Sequence, residues 1–467
     1  DCDWSSDVCS SDLGGGFSAS SGVISFRDNA FVFAEDLSGK VSGSDVAVAG
    51  RPHDMTLSLI KRDPSSGSCG VATDYSGTRA LKFWRSDTGG SFTAPTVVSP
   101  ALTIPAAQPG SANLSLSFSA GVASFNLGSS DIGRYSLNAR DDSLSYAATA
   151  ITGSSNTLTV RPFALLVQNI NAGGTANPGG SAATDAVFTT AGGNFAATVG
   201  AYAWSNAMLS NGADAGNTGS PSASATAAAL TAGGRTSGFA STVSLAPLAG
   251  SQTPSGGTLG TLSNGSVAAA SFSGGQATVS SLQYSEVGSF ALATTGVVSN
   301  FLGSGLALDA IVLNSAGNPS TRVGRFKPAG FAVSGGTVSH RSGAACSPAS
   351  GFTYLGEPFQ LGFTLTARNA LGATTTNYTG AFAKLGLGTP ANFQLAGIAG
   401  STPFTTTGSP ARLTLVSASG SWVNGVASGV TLQATAERGS TADGPFAASF
   451  GIDRKSTRLN SSHSQQS

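Results

Sequence analysis

The sequence predicts an all-β chain of about three tandem β-sandwich modules, the last of them truncated. Two observations carry this: apolar and polar residues alternate over strand-length runs, and the same short units return along the chain. The clearest run is Phe359-Gln360-Leu361-Gly362-Phe363-Thr364-Leu365-Thr366-Ala367. Successive side chains of a strand point to opposite faces, so its apolar residues share one buried side and its polar residues the wet one. Gly356-Glu357-Pro358 ahead of it and Asn369-Ala370-Leu371-Gly372 behind it read as turns.

The first module, residues 14–160, opens at Val23-Ile24-Ser25-Phe26-Arg27. Its echoes, Val160-Arg161-Pro162-Phe163 and Phe326-Lys327-Pro328 with Phe331 beyond, join an apolar residue, a base, a proline and an apolar strand. Proline fixes φ and cannot donate to a ladder, which suits a chain leaving one sandwich for the next. The second module is therefore expected over 161–325 and the third over 326–452. Gly50-Arg51-Pro52, Leu57-Ser58-Leu59 and Thr73-Asp74-Tyr75-Ser76-Gly77 align with Gly356-Glu357-Pro358, Phe363-Thr364-Leu365 and Thr376-Asn377-Tyr378-Thr379-Gly380. A fainter copy runs from Gly193-Asn194-Phe195 to Tyr202.

A second repeat pairs Ser130-Asp131-Ile132-Gly133-Arg134-Tyr135 with Ser285-Glu286-Val287-Gly288-Ser289-Phe290. The order acid-x-Gly-x-aromatic resembles the turn into strand F of immunoglobulin-like sandwiches, where a tyrosine corner forms; Tyr135 has the hydroxyl for it and Phe290 does not. Both aromatics are expected in the core. Ser205 to Ser263 thins to Ser, Ala, Gly, Asn and Thr and reads as long loops with an irregular strand near 241–248, or equally as flexible linker. Arg412-Leu413-Thr414-Leu415 and Val430 to Ala436 alternate again. The third module then stops, which would leave an unpaired edge or an uncovered core face.

Both ends are expected to be translated sequencing adapter. Asp3–Leu13 and Asp453–His463 back-translate to strings that are reverse complements of one another, so residues 1–13 and 453–467 are set aside from fold reasoning. Removing five acids and three bases from 23 of each leaves a formal charge of +2. Cys69 and Cys346 remain of the four cysteines, and His53 and His340 of the three histidines.

Charged residues are 10% of the chain, against about 25% in ordinary soluble proteins. So neutral a surface gives nucleic acid and anionic membrane nothing to hold. No run of about eighteen apolar residues exists to span a membrane. Gly-x-Ser-x-Gly, Gly-x-x-x-x-Gly-Lys and His-Glu-x-x-His are all missing, and two histidines in separate modules supply neither a triad nor a His-rich metal site. The expectation is no enzyme and no cofactor. Asp141 and Asp142 are weak calcium candidates, since hard oxygen ligands gather in interstrand loops. Cys69 is open to three fates: a disulfide with a partner outside the chain, a free thiol, or pairing with Cys346. His53 is expected as an exposed turn residue, His340 as a loop residue, and Trp84 and Trp204 as packing.

Phe326, Pro328, Cys346, Tyr354, Gly356, Pro358, Tyr378, Gly380 and Asp443-Gly444-Pro445-Phe446 stand in an order that resembles the C-terminal region of MshQ-like proteins, bacterial MSHA pilus biogenesis components. The resemblance covers most of 23–452 and is strongest from 322 to 384. It implies an exported, cell-surface or pilus-associated β-protein with structural or adhesive work, whose partners are other pilus or envelope proteins. A binding module for surface glycans or a pilin strand, with its site in the interstrand loops, is the alternative.

Overall fold

The structure, a computed structural model, describes residues 28–35, 45–63, 67–90, 92–341, 351–399, 402–405, 412–440 and 445–454. The expectations for residues 1–13, for Val23 to Arg27, for Cys346, for Asp443-Gly444 and for 455–467 lie outside these residues.

The first sandwich comprises β1 (Asn29–Glu35), β2 (Val46–Val48), β3 (His53–Arg62), β4 (Cys69–Val71), β5 (Gly77–Gly89) and β6 (Thr96–Val97). It continues through β7 (Leu102–Thr103), β8 (Leu114–Phe118), β9 (Val122–Gly128), β10 (Gly133–Asp141), β11 (Ile151–Ser154) and β12 (Leu158–Arg161). One sheet runs β1-β3-β9-β6-β7 and the facing one β2-β12-β10-β5-β8. Leu57, Leu59, Tyr75, Phe83, Phe125, Leu137 and Val160 fill the space between them.

The second sandwich begins with β13 (Ala164–Ala172), β14 (Thr175–Ala176), β15 (Thr189–Thr190) and β16 (Asn194–Tyr202). Helices α1 (Ala207–Ser210) and α2 (Ala227–Leu230) follow, then β17 (Val243–Ser244), β18 (Leu262–Ser263), β19 (Ser266–Val267) and β20 (Gln276–Tyr284). β21 (Gly288–Ala291), β22 (Val298–Phe301), β23 (Leu306–Leu308), β24 (Ile311–Val312) and β25 (Arg322–Lys327) complete it. Its main sheets run β14-β13-β16-β20-β18 and β15-β25-β21. Phe326, expected to open the third module, is fully buried in this second core, because β25 still pairs with β21 and β15.

The third sandwich has β26 (Gly330–Ser339), β27 (Pro358–Arg368), β28 (Phe393–Ala399), β29 (Thr402–Thr405), β30 (Leu413–Ser419), β31 (Val426–Ala436) and β32 (Ser449–Arg454). Its sheets run β26-β27-β31-β30 and β29-β28-β32. β27 buries Phe359, Leu361, Phe363, Leu365 and Ala367 and leaves the alternate residues wetter, as the periodicity predicts. Each large apolar side chain so buried contributes about 1.5–3 kcal/mol. Asp453 and Arg454, set aside in the sequence reading, extend β32, where their backbones pair with Gln394 and Phe393.

One knot of backbone recurs in all three sandwiches. The carbonyls of Leu59, Ala201 and Ala367 accept from the amides of Ala72, Thr236 and Thr375, and their own amides donate to the carbonyls of Gly121, Gly275 and Gly425. Three residues on, Tyr75, Phe239 and Tyr378 donate back to those same partners and bury their rings. The glycines have φ of +83°, +75° and +79°, and a Cβ there would stand 2.5, 2.1 and 2.1 Å from the carbonyl oxygen of Ala72, Thr236 and Thr375. Only glycine satisfies both the left-handed backbone and the close approach.

In the second sandwich this knot is interrupted by the stretch between Tyr202 and Arg235, which pair as a bridge. Expected as loop or linker, the stretch is packed: Met208, Ala213, Ala225, Ala229 and Leu230 are buried against Phe163, Leu166, Trp204 and Val48. Thr226 caps α2 by accepting from the Ala229 amide, and Asp214 accepts from the Trp204 indole at 2.8 Å and the Gly219 amide at 3.0 Å.

Candidate functional site at the module junctions

The residues singled out from sequence are not brought together. Tyr135 is buried, with its hydroxyl 2.7 Å from the Ser129 hydroxyl, a side-chain partner in place of the backbone partner of a tyrosine corner. Tyr378 accepts from the Leu385 amide at 2.8 Å. Pro328 follows β25, Gly356 donates to the Ala436 carbonyl, Pro358 opens β27 and Gly380 starts a single helical turn. Tyr354 is exposed beneath the Arg341 guanidinium.

The calcium candidates have other partners. Asp141 is buried and accepts from the Tyr75 hydroxyl at 2.7 Å and the Ser143 amide at 2.9 Å. Asp142 pairs with Lys82 at 2.8 Å and Arg140 at 2.9 Å. Among the described residues no three His, Cys, Asp or Glu side chains converge as a metal site. Cys69 is an exposed free thiol. His53, expected in solvent, is buried and accepts from the Val48 amide at 3.0 Å; the tight Gly50-Arg51-Pro52 turn folds its ring back onto the preceding strand. His340 is exposed beside Thr353. Trp204 is buried and Trp84 half-buried, both as packing residues.

Three buried tyrosines set a pH limit on the fold. Burial, followed by the nearby Asp141 carboxylate, raises the Tyr75 hydroxyl; burial raises Tyr135 against the opposing Ser129 bond; and burial pushes Tyr284 up to about 12. The unfolded value is about 10, so the fold favours the protonated phenols. This stabilisation is complete below pH ~10 and lost as pH rises through the folded values. The urea midpoint is expected to hold between pH 7 and 9 and to fall from about pH 10 upward, with phenolate absorbance rising at the unfolding step; a midpoint flat beyond that pH contradicts the assignment.

The groups that do converge lie where one sandwich meets the next, and the acid-x-Gly-x-aromatic repeat supplies them. Asp131, 4% exposed, accepts from the Ser237 hydroxyl at 2.9 Å and the Gly238 amide at 2.8 Å, both in the second sandwich. Ile132 beside it packs into the second core. Glu286, 6% exposed, does the same one module later. Its Oε1 accepts from the Thr376 amide and hydroxyl, each at 3.0 Å, and its Oε2 from the Asn377 amide at 3.1 Å, while Val287 enters the third core. The receiving pairs, Ser237-Gly238 and Thr376-Asn377, occupy the same place in the recurrent backbone knot. An acid and an apolar residue thus plug each module into its successor.

Further contacts fix the angle at each junction. At the first, Arg51 is buried, donates to the Asn217 carbonyl at 2.6 Å and lies over Trp204; burial lowers the pKa of its guanidinium, against the opposing pull of Asp214. Trp204 donates its amide to the Ala49 carbonyl at 2.8 Å, and Arg134 reaches the Gly303 carbonyl at 3.0 Å. At the second, Asn377 is 1% exposed, accepts from the Thr258 amide at 2.8 Å, and donates to the carbonyls of Thr258 at 2.8 Å and Val287 at 3.2 Å. Asn369 donates to the Ser285 carbonyl at 3.1 Å. Sequence reasoning read the acid repeat as a strand turn and missed its role; the signal was there in the acid itself, which a turn does not require twice.

Two domain models of DUF6701, a domain of unknown function, match the chain: the first Ig-like domain over residues 8–154 and the third domain over residues 286–465. The chain carries DUF6701 domains. Strands β1 to β11 of the first sandwich fall in the Ig-like DUF6701 match, and Glu286 begins the stretch matched by the third DUF6701 domain. Solved structures that superpose include FdeC, an Escherichia coli adhesin, at 12% identity, 90% of this chain, 92% of that one and a TM-score of 0.25. The Yersinia pseudotuberculosis adhesin InvE matches at 12% identity over 64% of this chain and 59% of its own, with a TM-score of 0.27. The D0–D1 domain of intimin matches at 13% identity over 64% and 97%, with a TM-score of 0.17. Among curated proteins the comparison finds no match. No helix among the described residues is long and apolar enough to cross a membrane.

Proposed function

We propose that this DUF6701 chain is a non-enzymatic stalk of the bacterial cell surface, whose Ig-like modules are locked in line to hold a binding element away from the envelope. The carrying observation is the repeated plug: Asp131-Ile132 and Glu286-Val287 each bury a carboxylate and an apolar side chain in the following module. A freely jointed string would keep such groups in water, because burying an acid is costly unless its oxygens are satisfied. Partners are envelope or pilus proteins, a reading supported by the MshQ-like order of motifs, and surface glycans are the second class.

Stiffness is testable on the purified chain. Small-angle scattering is expected to give one particle dimension from low to high salt, and limited proteolysis to spare the links at 162–163 and 328–329. Rapid cutting at either link, or a dimension that shrinks as salt rises, rules out the stalk. Protease shaving of intact cells checks location, with a shielded chain counting against it.

A further inference from the structure

In an Asn-Gly pair the glycine amide can attack the asparagine side chain, because glycine brings no Cβ to shield its nitrogen. The chain has three such pairs, Asn211-Gly212, Asn264-Gly265 and Asn424-Gly425, and the fold treats them differently. Two are locked. Asn264 and Asn424 hold left-handed φ of +60° and +48° in tight turns. Gly265 is buried; a Cβ there would stand 2.2 Å from the Leu245 carbonyl oxygen, and its own carbonyl accepts from the Leu245 amide at 2.8 Å. Gly425 is the buried glycine of the third knot, and its amide is already engaged, donating to the Tyr378 carbonyl at 3.2 Å.

Asn211-Gly212 is built the other way. Both residues are exposed, just past the end of α1. A Cβ at Gly212 would meet nothing within 4 Å, and among the described residues its amide donates to no acceptor. The nitrogen is therefore free to move and open to water. The Asn211 carboxamide, by contrast, is held at both ends. Its Oδ1 accepts from the Ala213 amide at 3.0 Å, and its Nδ2 donates to the Ala229 carbonyl in α2 at 3.3 Å. The Ala213 bond strengthens as negative charge builds on Oδ1, the logic of an oxyanion hole. One such bond is worth roughly tenfold in rate.

We infer that Asn211 is a self-modifying site, deamidated by the Gly212 amide with water as the only co-reactant, and that the product unfastens α1 from α2. The Gly212 nitrogen gives its proton to solvent hydroxide and bonds to Asn211 Cγ. The Cγ–Nδ2 bond breaks, and the nitrogen takes a proton from water and leaves as ammonia, so the hydroxide is restored. Water then opens the five-membered succinimide at either carbonyl, to aspartate or to isoaspartate. One water is consumed, one ammonia is released and nothing is oxidised. Both products lack the Nδ2 donor to Ala229; aspartate sets a carboxylate against that carbonyl, and isoaspartate lengthens the backbone. The change falls beside the first junction, because Arg51 and Arg161 of the first sandwich grip the same segment at the Asn217 and Gly219 carbonyls, at 2.6 and 2.7 Å.

The test holds the whole chain in warm, mildly alkaline buffer, with and without urea, and follows each Asn-Gly pair by peptide mass spectrometry. Rates in urea give the intrinsic reactivity of each pair. In the folded chain, relative to urea, Asn211 is expected to react at least about tenfold faster than Asn264 or Asn424, with isoaspartate among its products. Gly212→Ala is expected to slow the reaction at Asn211 by about tenfold or more. Circular dichroism checks that this variant is folded; if it is not, the comparison of the three pairs still decides. Asn211→Asp, which carries the aspartate product, is expected to speed hydrogen exchange over 207–211 and 227–231 about fivefold, the worth of one lost hydrogen bond. An unmodified Asn211, equal ratios at the three pairs, an unchanged rate in folded Gly212→Ala, or wild-type exchange in Asn211→Asp overturns the inference. The stalk reading does not depend on the outcome.

Discussion

Glu286→Ala is expected to release the third sandwich from the second and to lower the stability of the junction by about 3 kcal/mol. The carboxylate is the acceptor for the Thr376 amide, the Thr376 hydroxyl and the Asn377 amide, and also for the Val287 amide at 3.2 Å. Truncation leaves buried donors facing a void, and each unsatisfied buried group costs about 1–3 kcal/mol before water enters. Neighbouring bonds limit the loss, since Asn377 still holds Thr258 through two bonds of 2.8 Å. Glu286→Gln separates charge from shape. It keeps the volume but turns an NH2 group toward amides that can only donate, so it is expected to recover less than half of the lost stability. The readout is the urea transition, with Trp422 fluorescence reporting the third core, against which Trp422 packs. A wild-type midpoint in Glu286→Ala would mean that the plug stabilises nothing.

The sandwiches were legible because their signal is local. β27 needs only its own residues to show which face is buried, and the Tyr75 and Tyr378 units are alike enough to align by eye. The second copy was harder to see for two physical reasons. Phe239 stands where the tyrosines do, and the stretch from Tyr202 to Arg235 separates it from Ala201, its partner strand. That stretch packs through alanines and Met208, whose small or sparse apolar surface resembles a linker in composition. The junctions were illegible as junctions. A buried acid between modules and an exposed acid in a turn are written with the same letters, and only the partner, more than a hundred residues away for Asp131 and about ninety for Glu286, tells them apart. His53 follows the same rule: nothing beside it in sequence says that the Val48 amide will find its ring.

Gly425→Ala is expected to be the most damaging single methyl in the third sandwich, and Gly372→Ala measures how much of that damage is backbone strain. The two glycines have nearly the same φ, +79° and +84°, but a Cβ at Gly372 meets nothing within 4 Å, whereas one at Gly425 would stand 2.1 Å from the Thr375 carbonyl oxygen. A left-handed alanine costs roughly 1–2 kcal/mol, so Gly372→Ala should lose that and little more. Gly425→Ala adds an overlap that backbone must relieve, and the knot allows little movement. The Gly425 carbonyl accepts from Ala367, the Thr375 amide donates to Ala367, and the Gly425 amide donates to Tyr378. Shifting any one of them breaks a bond at the centre of the core, so the total is expected above about 4 kcal/mol, in the range that marks a named structural fault. The urea midpoints of the two variants check this directly. Equal losses would mean that the close approach of Gly425 and Thr375 is not what ties β27 to β31. The same substitution at Gly275, 2.1 Å from the Thr236 oxygen, should repeat the larger loss in the second sandwich, because the same knot holds it.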